Sequence, residues 1–219
     1  AHRAAEFFFR MSHSKEPWDY GDNDDAQIVP LTLQRERATA EWCAYFRGPS
    51  STLAASEAEL MDATAGNAIA YWLGNVPISV PRSAASKEGH WWLAEESGMG
   101  VIEREGWKVR VDASPLGFGR LAAHGHCDAL HASIWDGEHA LIIDPGTGGY
   151  YAANEFRSEL AAWNAHNGPQ PTEGFRTPER MGTFLWSKAH ARPHLKTEGQ
   201  RLLCELDHES HRLRRSVEV

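Results

Sequence analysis

The chain has 219 residues, 42% of them hydrophobic, which is enough to bury a core in one large domain or two small ones. Its formal net charge of −8 excludes a sequence-independent grip on a nucleic-acid backbone and argues against polyanions unless a local cationic cleft overrides the overall sign. No apolar run approaches the roughly 20 residues that a spanning helix needs, so neither nucleic acid nor membrane is expected as a partner.

The first 73 residues carry helical periodicity. Apolar residues recur at three- and four-residue spacings over Ala4 to Met11, Leu33 to Phe46 and Ser56 to Leu73, with Ser56 as an N-cap and Gly74-Asn75 as a stop. The opening "AHRAAEFFFRMSHSKE" lacks the cleavage pattern of a leader and reads as an amphipathic helix already under way, so the chain is expected to begin inside a larger protein. "WDYGDNDDAQIVP" is a polar loop between the first two helices. Three helices are too few to close a core alone. Residues 77–88, rich in Pro, Ser and Ala, read as a linker. Beyond it "MGVIERE", "WKVRVDAS", "LHASIW", "EHALIID", "GTFLWSKAHAR" and "RLLCELD" are short, β-rich and separated by turn residues. Helices followed by strands imply an α+β chain of two domains, 1–76 and 89–219, and not alternating βαβ units.

Twelve histidines and nine tryptophans are both high counts. Imidazoles bind metals and exposed indoles carry sugar rings, but ordinary packing accounts for either equally well. Cys43, Cys127 and Cys204 are odd in number and widely spaced, giving neither a disulfide framework nor a CxxC metal site, and are read as packing residues.

Within "SIWDGEHALIID", Asp136-Gly137 between two apolar runs is a strong hairpin signal. A two-residue Asp-Gly turn pairs Trp135 with Glu138 and leaves His126 and Asp144 on opposite faces. A three-residue loop with a Gly bulge pairs Ile134 with Glu138 and puts them on one face. Both registers bring the two residues to the hairpin's open end. One imidazole and one carboxylate there are two candidate ligands for zinc, which favours four partners and accepts nitrogen and oxygen. A third is His166 of "AWNAHNGP", in a polar stretch able to fold back over "DPGTGG". The alternative is a surface histidine and a turn aspartate.

His-Gly-His has a further implication. Residues two apart on an extended chain point the same way, but Gly125 can break that rule. With His126 turned inward, His124 is left facing a cleft, able to give or take a proton near neutral pH. "HGHCDALH" also nearly matches the His-x-His-x-Asp-His run of metallo-β-lactamase-type hydrolases. In that run His follows Asp directly, whereas Ala129 follows Asp128 here and His131 comes later; an Asp-x-Gly strand end also precedes that run, while "LIIDPG" follows this one.

Taken together, "VDASPLGFGRLAAHGHCDALHASIWDGEHALIIDPGT" and "FRSELAAWNAHN" resemble the heparinase II/III-like polysaccharide lyases, which include alginate and heparin lyases. Asp-x-x-Pro-Leu-Gly, His-Gly-His-x-Asp-x-Leu, a strand pair, Asp-Pro-Gly-Thr, Arg-Ser and Ala-His-Asn occur in the family's order over residues 112–167, and "GDNDDAQIVPL" is similar to a loop of its helical domain. The resemblance implies the C-terminal helices of an (α/α) toroid followed by an antiparallel β-sandwich, so the chain is expected to be a fragment or a reduced relative. It implies a structural zinc on His126, Asp144 and His166, a catalytic His124, and substrate contacts from Arg157, with a supporting role equally open, and from the aromatic Tyr151 or Tyr150. The family's carboxylate-neutralising Asn or His and its Tyr belong to the upstream toroid, and the chain alone is expected to be inactive. Two departures stand out: "GPQPTEGFRTPERMG" replaces a β-branched strand after Asn167, and Gly148-Gly149 replaces an aromatic after Thr147.

The implied chemistry is β-elimination across a uronic-acid glycosidic bond, with His124 as base or as the partner that sets a tyrosine's protonation. The implied partner is an acidic polysaccharide, a homodimer is compatible, and the implied location is periplasmic or secreted. Two other readings are a non-catalytic carbohydrate-binding or scaffold module that keeps the zinc, and a zinc-dependent hydrolase using an open fourth coordination position.

Overall fold

The computed structural model describes residues 91–150, 154–170 and 173–219, together with Phe7, Arg10, Met11 and Asp22. Phe7, Arg10 and Met11 are helical. The helices expected over Leu33 to Phe46 and Ser56 to Leu73, and with them the toroid, lie outside the described residues, as do the linker, Cys43 and Tyr151. The chain divides into two compact units, residues 1–18 with 25–87 and residues 19–24 with 88–219, so Asp22 belongs to the strand-rich unit.

That unit is mostly antiparallel sheet. Strands β1 (Trp91–Ala94), β2 (Met99–Arg104), β3 (Trp107–Asp112), β4 (Ala132–Asp136) and β5 (His139–Ile142) form one sheet in chain order. β8 (His194–Glu198), β9 (Arg201–His208) and β10 (His211–Val217) form a second, and the two-residue strands β6 (Glu179–Arg180) and β7 (Trp186–Ser187) pair with each other. A helix, α1 (Asn154–Leu160), and a 3-10 turn over Trp163–Ala165 fill the link between β5 and β6.

The period-two pattern explains how the sheets meet. On β3, Val109 and Val111 enter the core while Lys108 lies on the other face, where it pairs with Glu103 directly across the ladder at 3.1 Å. On β9, Leu202, Cys204 and Leu206 are buried in the same core as Val109 and Val111. A Cβ on Gly100 of β2 would lie 3.1 Å from Leu195 of β8 and 3.3 Å from Leu202 of β9, so the two sheets pack face to face in a sandwich-like arrangement. Cys127 and Cys204 are free, buried thiols of this core, and burial pushes both pKa values up, Cys204 to about 12. Trp135, Trp163 and Trp186 are buried too, so these indoles pack and do not form an open platform.

β1, β8 and β10 have no counterpart among the runs predicted from sequence. "HLKTE" and "HRLRRSV" look too charged, yet their outward residues meet opposite charges across the ladder, as Arg214 Nε does with Glu205 Oε1 at 2.8 Å. "GTFLWSKAHAR" shrinks to the two residues of β7.

The hairpin exists, but in neither predicted register. Asp136 pairs with His139 across a Gly137-Glu138 loop. Gly137, at φ +53°, takes the first loop position, as in a II′ turn, whereas the two predicted loops place it second or third. A bulge between Ile134 and Trp135 then pairs Ile134 with Ile142 and leaves Leu141 as the extra residue.

The core and the bulge predict opposite responses to truncation. Leu206→Ala, at a fully buried position, should cost about 2–5 kcal/mol in urea denaturation, whereas Leu141→Ala on the exposed bulge should stay within about 0.5 kcal/mol.

Candidate functional site

The site is built on the long connection between β3 and β4. Phe118 and Ala123 exchange backbone bonds of 2.9 and 2.8 Å, closing a small hairpin inside that loop. His124 N–H donates to Phe184 O at 2.8 Å, Trp186 N–H to Leu121 O at 2.9 Å and Trp186 Nε1–H to Gly125 O at 2.7 Å, so the β6–β7 connection pins the loop from one side. Cys127 N–H donates to Ala161 O at 2.9 Å and ties it to the end of α1.

Gly125 decides where the two histidines go. A Cβ there would lie 1.6 Å from the Leu116 carbonyl oxygen, a position no side chain can share. His124 is held at φ +58°, in the left-handed region. Its side chain is 50% exposed, while that of His126 is 2% exposed. The alternation of an extended strand is broken, and one imidazole looks outward while the next looks inward.

His126 meets Asp144 and His166 inside, where one donor atom from each lies within 4.8 Å of the others. Asp144 lies two residues beyond β5, and its Oδ1 accepts the Gly146 N–H at 2.8 Å, the Asx turn that an Asp-Pro-Gly sequence favours. His166 follows the 3-10 turn, and its Nδ1 donates to Ala162 O at 2.9 Å, which leaves Nε2 as a lone-pair donor 3.7 Å from Asp144 Oδ2. Asn167 sets the position of that histidine. Its side-chain amide brackets Ala132 at the start of β4, accepting its N–H at 2.9 Å and donating to its carbonyl at 2.8 Å, as a strand neighbour would. Next to it, a Cβ on Gly168 would lie 2.4 Å from Ala129 O, so the Gly-Pro departure after Asn167 forms a close backbone approach and no strand over 168–170.

Three buried atoms of this cluster have no hydrogen-bond partner among the described residues: His126 Nδ1, Asp144 Oδ2 and His166 Nε2. Leaving such groups unmet is costly, and their chemistry, two imidazole nitrogens and one carboxylate oxygen, is that of a zinc site. The separation of 3.7 Å between Asp144 and His166 is close to the about 3.4 Å between two ligands of one tetrahedral zinc. The residues present therefore fit the ion. Burial alone would raise the pKa of Asp144, but the nearby His166 and His131 rings and the Gly146 N–H hold it below the usual carboxylate value. His124 and Asp128 do not join this group, so the metallo-β-lactamase run does not assemble among the described residues. Burial instead raises the pKa of Asp128, helped by the nearby Asp112 and Asp144.

Around His124 the structure gathers the expected Arg157 and Tyr150 together with two residues that the sequence left without a role, Asp22 and Phe184. The Asp22 side chain is 5% exposed; its Oδ2 lies 3.2 Å from His124 Nδ1 and its Oδ1 lies 3.4 Å from His126 Nε2 and also bonds Arg157 Nη2. Burial would raise the pKa of Asp22, but His126 and Arg157 outweigh it and bring it down to about 2. Arg157 lies in α1, and its guanidinium stands 5.0 Å from the Tyr150 ring centroid and 4.5 Å from that of Phe184. The same two rings flank His124, at 6.3 and 4.9 Å between centroids. The Arg157 side chain is only 3% exposed and is committed to Asp22 and to Tyr150 O. Two sequence signals bore on these additions: the acidic cluster of "GDNDD", which has no reason to be acidic in a plain connecting loop, and the aromatic of "GTFLW".

A family model described as "Heparinase II/III-like, C-terminal" matches residues 86–217. Comparison with curated proteins gives no match.

His131 is buried beside this cluster, its ring 5.5 Å from that of His166, and accepts the Asn167 N–H through Nδ1 at 3.3 Å. Burial, with the charges of His166, Arg110 and Arg215, outweighs the attraction of Asp144 and lowers its pKa from 6.5 to about 4. Burial lowers that of His190 too. The unfolded chain then binds a proton that the folded chain refuses between those two values, so stability rises with pH across that window and is lost on acidification. Chemical denaturation at pH 7 and pH 4.5 should differ by about 2 kcal/mol from His131 alone, with a shallower slope in His131→Gln.

Proposed function

Since the chain belongs to the heparinase II/III-like family through the C-terminal domain that fills more than half of its length, we propose that it serves a polysaccharide lyase acting on uronic-acid-containing polymers by β-elimination. On this reading residues 89–219 are the antiparallel sandwich, residues 77–88 a linker and residues 1–76 the last helices of an (α/α) toroid, in a protein that meets its acidic polysaccharide in the periplasm or outside the cell. The observation that carries it is one loop that exposes the imidazole of His124 and, two residues on, buries His126 against Asp144 and His166.

The proton next to a uronate carboxylate is barely acidic until that carboxylate is neutralised by hydrogen bonding. His124, or a tyrosine whose protonation it sets, then removes the proton. The electron pair left on C5 forms the C4=C5 double bond as the C4–O bond breaks, and an acid returns a proton to the departing oxygen. His124 is suited to this because a carboxylate can only accept: Asp22 takes the Nδ1–H, and Nε2 keeps its lone pair. Arg157 supports this arrangement through Asp22, and Tyr150 supplies a ring beside it; a substrate contact from Tyr151 is part of the same proposal. Zinc on His126, Asp144 and His166 would supply structure, locking the loop that carries His124 without touching substrate.

Three measurements test this. Elemental analysis should find one zinc per chain, and saturation at about 100 times Kd should raise stability by about 2.7 kcal/mol; protein without bound metal would overturn the zinc assignment. The full-length protein should release ultraviolet-absorbing unsaturated ends from uronic-acid polymers, and His124→Ala should lower that rate by about 10²–10⁴-fold with an unchanged melting temperature. Glycan binding without such ends, indifferent to His124→Ala, would identify a binding module. Loss of a hydrolytic activity to chelator without loss of fold would identify a zinc hydrolase.

A further inference from the structure

Asp22 stands 102 and 104 positions before the two histidines it reaches, and 135 before Arg157, yet its one carboxylate meets all three. Each contact constrains a different group. A carboxylate has no proton to give, so both imidazoles must donate to it. His126 therefore carries its proton on Nε2, which leaves Nδ1, the atom without a partner, as its metal-facing donor. His124 carries its proton on Nδ1, which leaves Nε2 as the atom offered to solvent and substrate. The Arg157 guanidinium, itself held against the rings of Tyr150 and Phe184, compensates the buried charge.

We infer that Asp22 is a positioning residue that couples the metal site to the catalytic imidazole, fixing by one shared carboxylate which nitrogen of His126 faces the cation and which nitrogen of His124 faces the sugar. The inference rests on the lyase reading for the role of His124 and on the zinc reading for that of His126. Its physical content is narrower than either. A carboxylate behind a metal-bound imidazole fixes the ring's tautomer and raises its basicity, and loss of such a partner weakens metal binding by about 10–100-fold. Here the same carboxylate also holds a second imidazole, so disturbing it changes metal affinity and the proton acceptor together. It also gives the acidic loop "GDNDD" a reason to return to the strand-rich unit, within which residues 19–24 cluster.

Asp22→Asn is the informative variant because it keeps the size of the side chain. An amide has one accepting oxygen and one donating nitrogen. If the oxygen stays with His126 and Arg157, the nitrogen is left to His124 and forces Nδ1 to accept. Long-range proton–nitrogen NMR spectra of the full chain should show His124 as the Nδ1–H tautomer in the wild type and as the Nε2–H tautomer in Asp22→Asn. Turnover of a uronic-acid polymer by the full-length protein should fall at least about tenfold in kcat, with KM nearly unchanged, because the lost function is proton acceptance and not binding. Asp22→Ala should weaken zinc binding about 10–100-fold in competition with a chromophoric chelator. If that variant does not fold, the tautomers of the wild type and of Asp22→Asn decide. An unchanged His124 tautomer in Asp22→Asn, or a wild-type His124 already protonated on Nε2, overturns the coupling alone while zinc binding and lyase activity stand. A wild-type protein that takes up no zinc overturns the metal reading and the coupling with it.

Discussion

The contact on which the site depends is one that a side chain would prevent, the approach of the Gly125 backbone to the carbonyl of Leu116. With a Cβ at that position the loop between β3 and β4 could not close on itself, and His124 and His126 would not point in opposite directions. Everything chemical in the unit follows from that reversal. One ring enters a buried cluster of donors and the other stays half exposed, two residues apart in the chain. The left-handed conformation of His124, unusual for a residue with a side chain, is held by the bond its N–H donates to Phe184 O and by the bond Trp186 Nε1–H donates to Gly125 O.

The elements that converge on the cluster are held by side chains and turns more than by the ladders of the sheets. Asp144 is oriented by its own turn, His166 by the carbonyl of Ala162, and Asn167 by a pair of bonds that imitates a strand neighbour. Each ligand candidate thus has one polar atom committed to protein and one left over. That division is what a cation site requires: the committed atom fixes the tautomer or rotamer, and the remaining one loses the competition for any other partner. Asp22 extends the same logic outward, because it commits the second nitrogen of His126 and the first of His124 at once.

How far the sequence could be read differs from element to element. β2, β3 and β9 were legible because their apolar residues alternate or run together. β8 and β10 were not, because their outward faces carry charges that are balanced only by the neighbouring strand, and a single segment cannot reveal its neighbour. The hairpin between β4 and β5 was visible in Asp136-Gly137, but its register was not, because "ALII" is apolar on both faces and fits either alignment. His126, Asp144 and His166 were reached as candidate ligands from the hairpin's open end and a polar stretch, and their zinc role came from the resemblance to a family. The role of Asp22 was not, because an acidic loop 104 residues upstream of His126 carries no mark of where it will fold back.

By itself the sequence determined the strand pattern of β2, β3 and β9, the polar donors at 126, 144 and 166, and the glycine that sets two histidines apart, because these depend on residue type and short-range spacing. Only the tertiary structure decided which nitrogen of each imidazole is free, that Arg157 faces Asp22 and not solvent, and that Phe184 and Tyr150 stand around His124. Those outcomes are contacts between segments far apart in the chain, and their energies depend on burial and hydrogen-bond geometry that no local pattern encodes.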